Sequence, residues 1–439
     1  MYLSNNGLSI SWKHQWNDRF SSRLLGVHSY YNYDYGYSLK TELQNQNNPG
    51  ANRLGFKESE ISEQQLHFAN SYKLNKGRQL KFGYQLTNYK TDFSIEREED
   101  NRGKAKQNWL RESKLQVLYT SFQTNTEAKF GVEGGARLNF FELTNEVFLE
   151  PRVRGWYRSS DHLNFQLTAG RYYQYLSQLY DLAGDNASIS TPVWNLAGGV
   201  NNPIQNARQL QLGLVYQKGT WLLDAQFYTK KINAQTSLSS SFSENLTSTF
   251  EVGSSNVRGV DVLLKKRWGN FRSWMSYALS KNVFDFPDFF DTRFAAPMDQ
   301  RHIFNWSNSY SIDQWEFSLG WRISSGRPYS SIEHFEIVEN ELGSAGPKEL
   351  ISPVVNEFNS EQLPATHQLD AAIKYAFLPK TNKSWKGILG LSLLNIYNQR
   401  NVYNRELTIR KKPGQVPRLE YTDRVTLGFT PNLFFRVEL

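Results

Sequence analysis

The sequence predicts an all-β fold, a transmembrane antiparallel β-barrel of about seventeen strands, and three observations lead to this prediction. Apolar and polar residues alternate with a period of two along the chain, which is the pattern of strands with one apolar face. The connections between these strands alternate between short and long. Aromatic residues recur beside the short connections, and this position is typical of the aromatic girdle of a membrane barrel.

The alternation is clearest in two segments, which begin at Leu163 and at Trp315. Apolar residues fill the odd positions of both segments: Leu163, Phe165, Leu167 and Ala169 in the first, and Trp315, Phe317, Leu319, Trp321 and Ile323 in the second. The even positions carry polar residues such as Gln166 and Arg322. A barrel turns its apolar face to lipid and its polar face to the lumen. We therefore expect the odd positions of both segments to lie on the outside.

Short turns and long links alternate along the chain. The short turns lie near Asn17–Ser21, Asn75–Gly77, Gln123–Glu127, Ser159–His162, Lys218–Thr220, Gly269–Asn270, Asp313–Gln314 and Leu378–Ser384. The longer links include Leu39–Glu60, Leu176–Asn206, Ala234–Asn256, Val283–Arg301, Ser325–Thr366 and Gln399–Gly428. The pattern is broken once, at Glu142–Asn145, where a tight turn replaces a long link. The hairpins closed by the short turns, together with a last strand at Pro431–Leu439, make seventeen strands.

An aromatic residue stands on most strands where they meet a short turn. These residues are Trp16, Phe20, Phe122, Phe130, Tyr157, Tyr216, Trp221, Trp268, Phe271, Tyr310, Trp315, Tyr375 and Trp385. A soluble β-sandwich or propeller would show the same alternation of apolar residues, but it would need neither the girdle nor the asymmetry of the links. A propeller also requires a repeat of roughly 40–45 residues, and the sequence has none.

Composition excludes several other classes of protein. The longest apolar run, Ile388–Tyr397, is interrupted by Gly390, Ser392 and Asn395, so no helix of about 20 apolar residues can cross a membrane. The chain has no cysteine, which excludes disulfides and thiolate metal sites. The net charge of +8 is dispersed over turns and loops, whereas nucleic-acid binding usually requires a basic patch.

Several segments resemble those of TonB-dependent receptors, particularly the Bacteroidetes type. Leu391–Asn401 carries the Asn-aromatic-Asn box of the penultimate strand at Asn395, Tyr397 and Asn398, and Thr430–Leu439 is similar to the last strand. Four upstream segments are also similar to blocks of this family and occur in the family order: Ala169–Leu182, Val257–Asn282, Asp299–Tyr310 and Ser324–Ser330.

The resemblance implies a 22-stranded barrel, the size also given for plugged outer-membrane transporters, preceded by a plug and a segment that contacts the TonB complex. Residues 1–439 would then be a partial outer-membrane barrel domain that lacks the plug and the first strands. The odd strand count and the absence of a signal peptide at the start of the sequence lead to the same expectation. Its first strand, near Leu8–Trp16, and its last, Pro431–Leu439, should then both have unpaired edges.

The function implied is energy-coupled uptake of a scarce nutrient through the outer membrane of a Gram-negative bacterium. The expected partners are outer-membrane lipid, the TonB complex, the barrel-assembly machinery, which reads the last strand, and a small nutrient ligand; nucleic acid is not among them. A siderophore, haem, cobalamin, a glycan or a peptide would all suit the extracellular loops. A passive porin or a surface-adhesion barrel is the alternative.

The candidate ligand-binding residues lie in or directly beside two long links. Carboxylates and aromatic rings stand together at Asp285, Asp288, Phe289 and Asp291, with Arg293 beside them, and such groups can bind a hard cation or stack on a sugar or siderophore. The second group comprises Tyr173, Tyr175, Tyr180 and Trp194. The simpler alternatives are a solvated loop whose carboxylates balance Arg293 and Arg301, and an outer aromatic girdle.

No catalytic, metal or cofactor site is predicted. The histidines show no metal-ligand spacing, and no Ser, His and Asp combination stands out. We therefore expect a protein that is not an enzyme.

Overall fold

The structure, a computed structural model, describes residues 2–40, 52–99, 103–179, 193–199, 202–238, 250–288, 290–340, 348–355, 357–377, 386–410 and 418–438. Within these ranges the regular elements are β-strands, apart from one 3-10 turn at Asn75–Gly77. No helix in the described ranges is long and apolar enough to span a membrane.

The strands, numbered in chain order, are β1 (Tyr2–Gln15), β2 (Phe20–Lys40), β3 (Asn52–Lys73), β4 (Gln79–Glu99), β5 (Gly103–Gln123), β6 (Phe130–Phe141), β7 (Glu146–Arg158), β8 (Leu163–Gln174), β9 (Leu176–Leu179), β10 (Val193–Leu196), β11 (Gln205–Lys218), β12 (Trp221–Leu238), β13 (Phe250–Trp268), β14 (Phe271–Asp285), β15 (Phe294–Ala295), β16 (His302–Ile312), β17 (Trp315–Ser324), β18 (Pro328–Tyr329), β19 (Ile332–Asn340), β20 (Lys348–Val355), β21 (Glu361–Gln362), β22 (Thr366–Phe377), β23 (Lys386–Leu394), β24 (Val402–Arg410), β25 (Arg418–Val425) and β26 (Thr430–Glu438).

One large antiparallel sheet contains seventeen of these strands. Each strand of the sheet pairs with the one that precedes it and the one that follows it within the sheet, in chain order. The two-residue strand β15 joins the sheet at β14. Its order is β1 to β8, β11 to β14, β16, β17, β22, β23 and β26. The remaining strands form four separate two-stranded pairs, β9 with β10, β18 with β21, β19 with β20 and β24 with β25. The predicted all-β architecture and strand number are confirmed.

The short turns lie together at one end of this sheet. Three of them have only two residues, and the first residue of each, Gly219, Gly269 or Asp313, adopts a positive φ, as tight hairpins require. The long links and the tight Glu142–Asn145 turn lie at the other end, because neighbouring strands are antiparallel. The predicted turn Leu378–Ser384 lies outside the described residues.

The two faces of the sheet differ as predicted. The odd positions of β8 and β17 form an exposed apolar face, on which Phe165 is 40% and Trp315 43% exposed. We call this the outer face. The inner face carries the intervening residues, and on β5 it includes Leu115 and Val117, which are buried.

The aromatic girdle is continuous across several strands at the short-turn end. The rings of Phe130 and Tyr157 stack with centroids 4.6 Å apart, and Trp315 and Tyr375 are equally close. Because neighbouring strands place these rings at one level, the girdle follows from the register of the sheet. Trp385 lies outside the described residues.

Two boundary predictions are wrong. The sequence places the links at Leu39–Glu60 and Ala234–Asn256, but β2 continues to Lys40 and β12 to Leu238, and the following strands begin at Asn52 and Phe250. Backbone pairing continues here beyond the segment in which apolar alternation is visible, because both faces of the projecting strands can be polar.

The strand β23 ends at Leu394, just before Asn395, although the whole segment Leu391–Asn401 resembles the family's penultimate strand. Asn395 adopts a positive φ, its amide N–H donates to Asp370 (2.8 Å), and its side-chain Nδ2 donates to the carbonyl oxygens of Gln399 and Leu427. The Asn-aromatic-Asn box therefore turns the chain out of the sheet and is not part of the strand.

Both edges of the sheet are unpaired within the described residues, as predicted. β1 pairs with β2 on one side, and β26 pairs with β23. No pairing between β1 and β26 is observed in this part of the chain.

Candidate functional site

The inner face carries charged side chains on the strands around β7. Glu150, Arg152 and Arg154 alternate along β7 with Leu149 and Val153, which are exposed on the outer face. Since successive side chains of a strand point to opposite faces, these three charges point inward.

Glu150 lies at the centre of this inner surface and is 5% exposed. Its carboxylate accepts a hydrogen bond from Arg152 (2.7 Å) and lies 3.9 Å from the guanidinium of Arg137. Its other oxygen accepts the backbone N–H of Tyr173 (2.9 Å). The buried carboxylate is therefore fully compensated, which is the condition for retaining a charge in a buried position.

Further contacts extend this arrangement across the inner face. Arg137 donates to Gln85 (3.1 Å) and lies 5.9 Å from the ring centroid of Tyr119, whose hydroxyl is 2.9 Å from His67 Nε2. We call these residues the inner network: Glu150, Arg137, Arg152, Gln85, Tyr119 and His67. With two arginines for one carboxylate, it offers cationic and hydrogen-bonding groups to a polar or anionic molecule.

The hairpin formed by β9 and β10 folds back over the inner face at the long-link end. Leu196 and Ala197, at its end, are fully buried. Arg111 on β5 donates through Nη1 to the carbonyl oxygens of Leu196 (2.9 Å) and Gly198 (3.1 Å). Leu196 and Ala197 belong to a cluster of buried residues that we call the mouth cluster: Leu115, Val117, Phe141, Tyr175, Leu196, Ala197 and Ile204.

Two of the predicted tyrosines meet in this region. Tyr175 is buried, and its ring lies 4.8 Å from Phe141 and 5.9 Å from Phe148. Tyr173 packs on Phe148 (4.8 Å). Burial raises the pKa of the Tyr175 phenol, and the nearby Glu150 carboxylate adds to the effect, so the phenol remains a neutral hydrogen-bonding group at physiological pH.

Trp194 is half-buried in β10, where it pairs with Gln178. It therefore belongs to the hairpin that covers the mouth cluster. Tyr180 lies outside the described residues.

The acidic side chains of the first predicted group do not converge. Asp285 forms an ion pair with Arg293 (2.8 Å), whereas Asp288 and Asp291 are exposed. Asp299 pairs with Arg301 (3.0 Å), so these carboxylates balance arginines, as in the simpler alternative. Phe289 lies outside the described residues. In the part of the chain that the structure describes, no group of three or more His, Cys, Asp or Glu residues could hold a metal ion.

The phenylalanines of this link form a small core with the next link. Phe284, Phe286, Phe294 and Ala296 are buried together, and Phe290 and Phe358 pack against them. Asn359 Nδ2 donates to the carbonyl oxygen of Ala295 (2.8 Å). These phenylalanines therefore join two outer links.

A third outer contact involves the hairpin of β24 and β25. Arg405 forms two hydrogen bonds with the carboxylate of Asp423 (2.6 and 3.0 Å) and donates to the hydroxyl of Tyr329 in β18 (2.9 Å). Hydrogen bonding from Arg405 lowers the pKa of Asp423. The contact stays charged at neutral pH and holds this hairpin against the preceding link.

Sequence reasoning missed the inner network and Arg111. A signal was present, because Glu150, Arg152 and Arg154 occupy alternate positions of a strand whose other face is apolar. Charged residues that alternate in this way predict a polar inner face, on which a polar ligand could be bound.

Comparison with known proteins gives one family and a set of similar structures. Residues 2–398 match the family model described as TonB dependent receptor-like, beta-barrel. No curated protein sequence matches the chain.

Three solved structures illustrate the likeness. The ferric-catecholate import receptor Fiu from K12 E. coli is 12% identical, with a TM-score of 0.64 over 99% of this chain and 64% of that receptor. The ferric yersiniabactin uptake receptor FyuA from Yersinia pestis is 11% identical, with a TM-score of 0.65 over 99% of this chain and 60% of that receptor. The copper transporter OprC is 11% identical, with a TM-score of 0.62 over 99% of this chain and 65% of that transporter. The chain thus spans less than two thirds of the length of these proteins.

Proposed function

Because this chain belongs to the TonB dependent receptor-like β-barrel family, we propose that it is the barrel of an outer-membrane transporter for energy-coupled uptake of a scarce nutrient. The observation that supports this most is the contrast between the two faces of the sheet. The outer face is apolar and ringed by aromatic residues, whereas the inner face carries the inner network. A lipid-facing wall around a polar lumen has this arrangement.

The orientation follows from the same proposal. The short turns lie in the periplasm and the long links outside the cell, with outer-membrane lipid around the apolar face. The last strand, β26, alternates Phe435 and Val437 on the outer face with Arg436, and it is the segment that the barrel-assembly machinery would read.

Further strands complete the barrel in this proposal. β1 and β26 each expose an unpaired edge within the described residues, and an exposed edge of this length is rarely left uncovered. We propose that strands encoded outside this sequence pair with both edges. A plug and the segment that contacts the TonB complex would be encoded there too.

The nutrient would meet the outer links first and the inner network afterwards. The inner network carries two arginines near one carboxylate, which supports a ligand with anionic groups. Three similar proteins are named as handling ferric catecholates, ferric yersiniabactin or copper. Metal chelates are therefore the first ligands to test, before haem, cobalamin, glycans and peptides.

Nutrient uptake by the producing bacterium tests the function. The gene would be deleted and restored in full length, and accumulation of each candidate nutrient would be measured with and without a protonophore. We expect one nutrient to depend on both the gene and the proton gradient. Gene-dependent uptake that persists with the protonophore would indicate a passive porin, and unchanged uptake of every nutrient would favour an adhesion barrel.

A further inference from the structure

The outer face carries an apolar groove between β6 and β13, with a volume of about 840 Å³. Small-molecule sites usually measure about 300–1,000 Å³. The groove is open at Gly155, which faces outward between Val153 and Tyr157 and has no side chain. A Cβ atom added there would meet no atom closer than 3.9 Å. Val132 and Leu167 flank this position as its register partners.

The groove crosses the strands diagonally. It begins at the short-turn end with Phe130, the first residue of β6, beside Tyr157 near the end of β7. From Leu167 it continues through the register partners Leu212, Phe227 and Val260. Val260 lies eight residues from the short-turn end of its strand, at Trp268. The groove therefore rises from the aromatic girdle into the middle of the apolar band.

A cation stands at the girdle end of this path. The ammonium group of Lys129 lies 5.8 Å from the ring centroid of Tyr157, which lines the groove. The neighbouring Arg158 is held by the carbonyl oxygens of Thr126 and Glu127, so Lys129 is the better placed of the two to meet a ligand. A polar end at the interface and an apolar path beyond it match an amphipathic molecule.

We propose that the groove binds one acyl chain of a phospholipid with a net negative headgroup, which contacts Lys129. The proposal rests on the membrane location given above. It concerns a specific lipid site, in addition to the general lipid contact of the outer face. The alternative occupant of the groove is a second copy of the chain. Such a contact would need an apolar partner surface, and it would not require a cation at one end of the groove.

Filling the groove tests the acyl-chain site. The full-length protein, which includes the strands proposed to pair with β1 and β26, is refolded in detergent, its strand content is checked by circular dichroism, and binding of dioleoyl phosphatidylglycerol is measured by native mass spectrometry. Gly155→Phe should bind the lipid at least about tenfold more weakly than the unchanged chain. The control is Gly134→Phe, since Gly134 also faces outward with nothing within 4 Å of an added Cβ but does not line the groove; its binding should be unchanged.

Lys129→Glu tests the headgroup contact with little risk to folding, because the side chain is exposed in a turn. Preference for phosphatidylglycerol over phosphatidylcholine should fall about fivefold. Lys73→Glu, at the exposed short-turn end of β3, should leave the preference unchanged.

Three results would overturn the acyl-chain site alone: unchanged binding by Gly155→Phe, equal losses in both glycine variants, or a dimer that disappears with Gly155→Phe. Failure of the full-length protein to enter phospholipid vesicles would refute the membrane location, and the lipid site with it.

Discussion

Glu150 has two neighbours of opposite charge and one backbone donor, and each contact depends on a different strand. Arg152 is on the same strand, Arg137 is on β6, and the Tyr173 N–H is near the end of β8. The carboxylate thereby joins three strands of the inner face. A buried charge with this many partners becomes costly once it or a partner is removed.

We predict that Glu150→Ala lowers the free energy of unfolding in detergent by roughly 1–3 kcal/mol, because the Tyr173 N–H loses its acceptor and two arginines lose their counter-charge. Glu150→Gln keeps an acceptor oxygen and should lose less. Glu146→Ala, at the exposed start of the same strand, should change stability by about 0.5 kcal/mol at most. Urea unfolding followed by tryptophan fluorescence measures all three, and equal stability of Glu150→Ala and Glu146→Ala would refute the role of the network.

At the scale of elements, the outer links are organised structures. The β9–β10 hairpin packs on the inner face, the phenylalanine core joins the links around Phe294 and Phe358, and Arg405 connects β24 to Tyr329. Any ligand contacts at this end would therefore depend on how these links are arranged relative to one another. The hairpin is the element that lies over the inner face itself.

We predict that Arg111→Ala releases the β9–β10 hairpin, because the carbonyl oxygens of Leu196 and Gly198 lose a charged donor. Hydrogen bonds to charged groups contribute about 1.5–3 kcal/mol. Cleavage of residues 176–204 by a protease should therefore become faster. The matched control is Arg208→Ala, since Arg208 is exposed on β11. If Arg111→Ala is cleaved no faster than the unchanged chain, the mouth cluster alone holds the hairpin.

At the scale of the whole molecule, the proposed orientation assigns every connection to one side of the membrane. The chain has no cysteine, so a single introduced thiol reports its own position. Asp288→Cys lies on an outer link and Asn270→Cys on a short turn. In a full-length version on intact cells, an impermeant thiol reagent should label the first variant and not the second. The reverse pattern would invert the topology.

The sequence by itself determined the number of strands, the face that each presents and the grouping of the short turns. These properties are local: a period of two assigns the faces, and a turn of two residues leaves little choice of partner strand. The resemblance to TonB-dependent receptors likewise rested on contiguous segments, and the family match bears it out.

Only the tertiary structure decided where the outer links fold and what their residues do. The phenylalanines near Asp285 pack against Phe358, more than sixty positions away in the sequence, and Tyr175 packs against Phe141 from another strand. Asn395 looked like part of a strand but ends it, because its contacts to Asp370 and Leu427 come from distant segments. Such contacts join residues far apart in the chain, and a periodic pattern records only the face on which each residue lies.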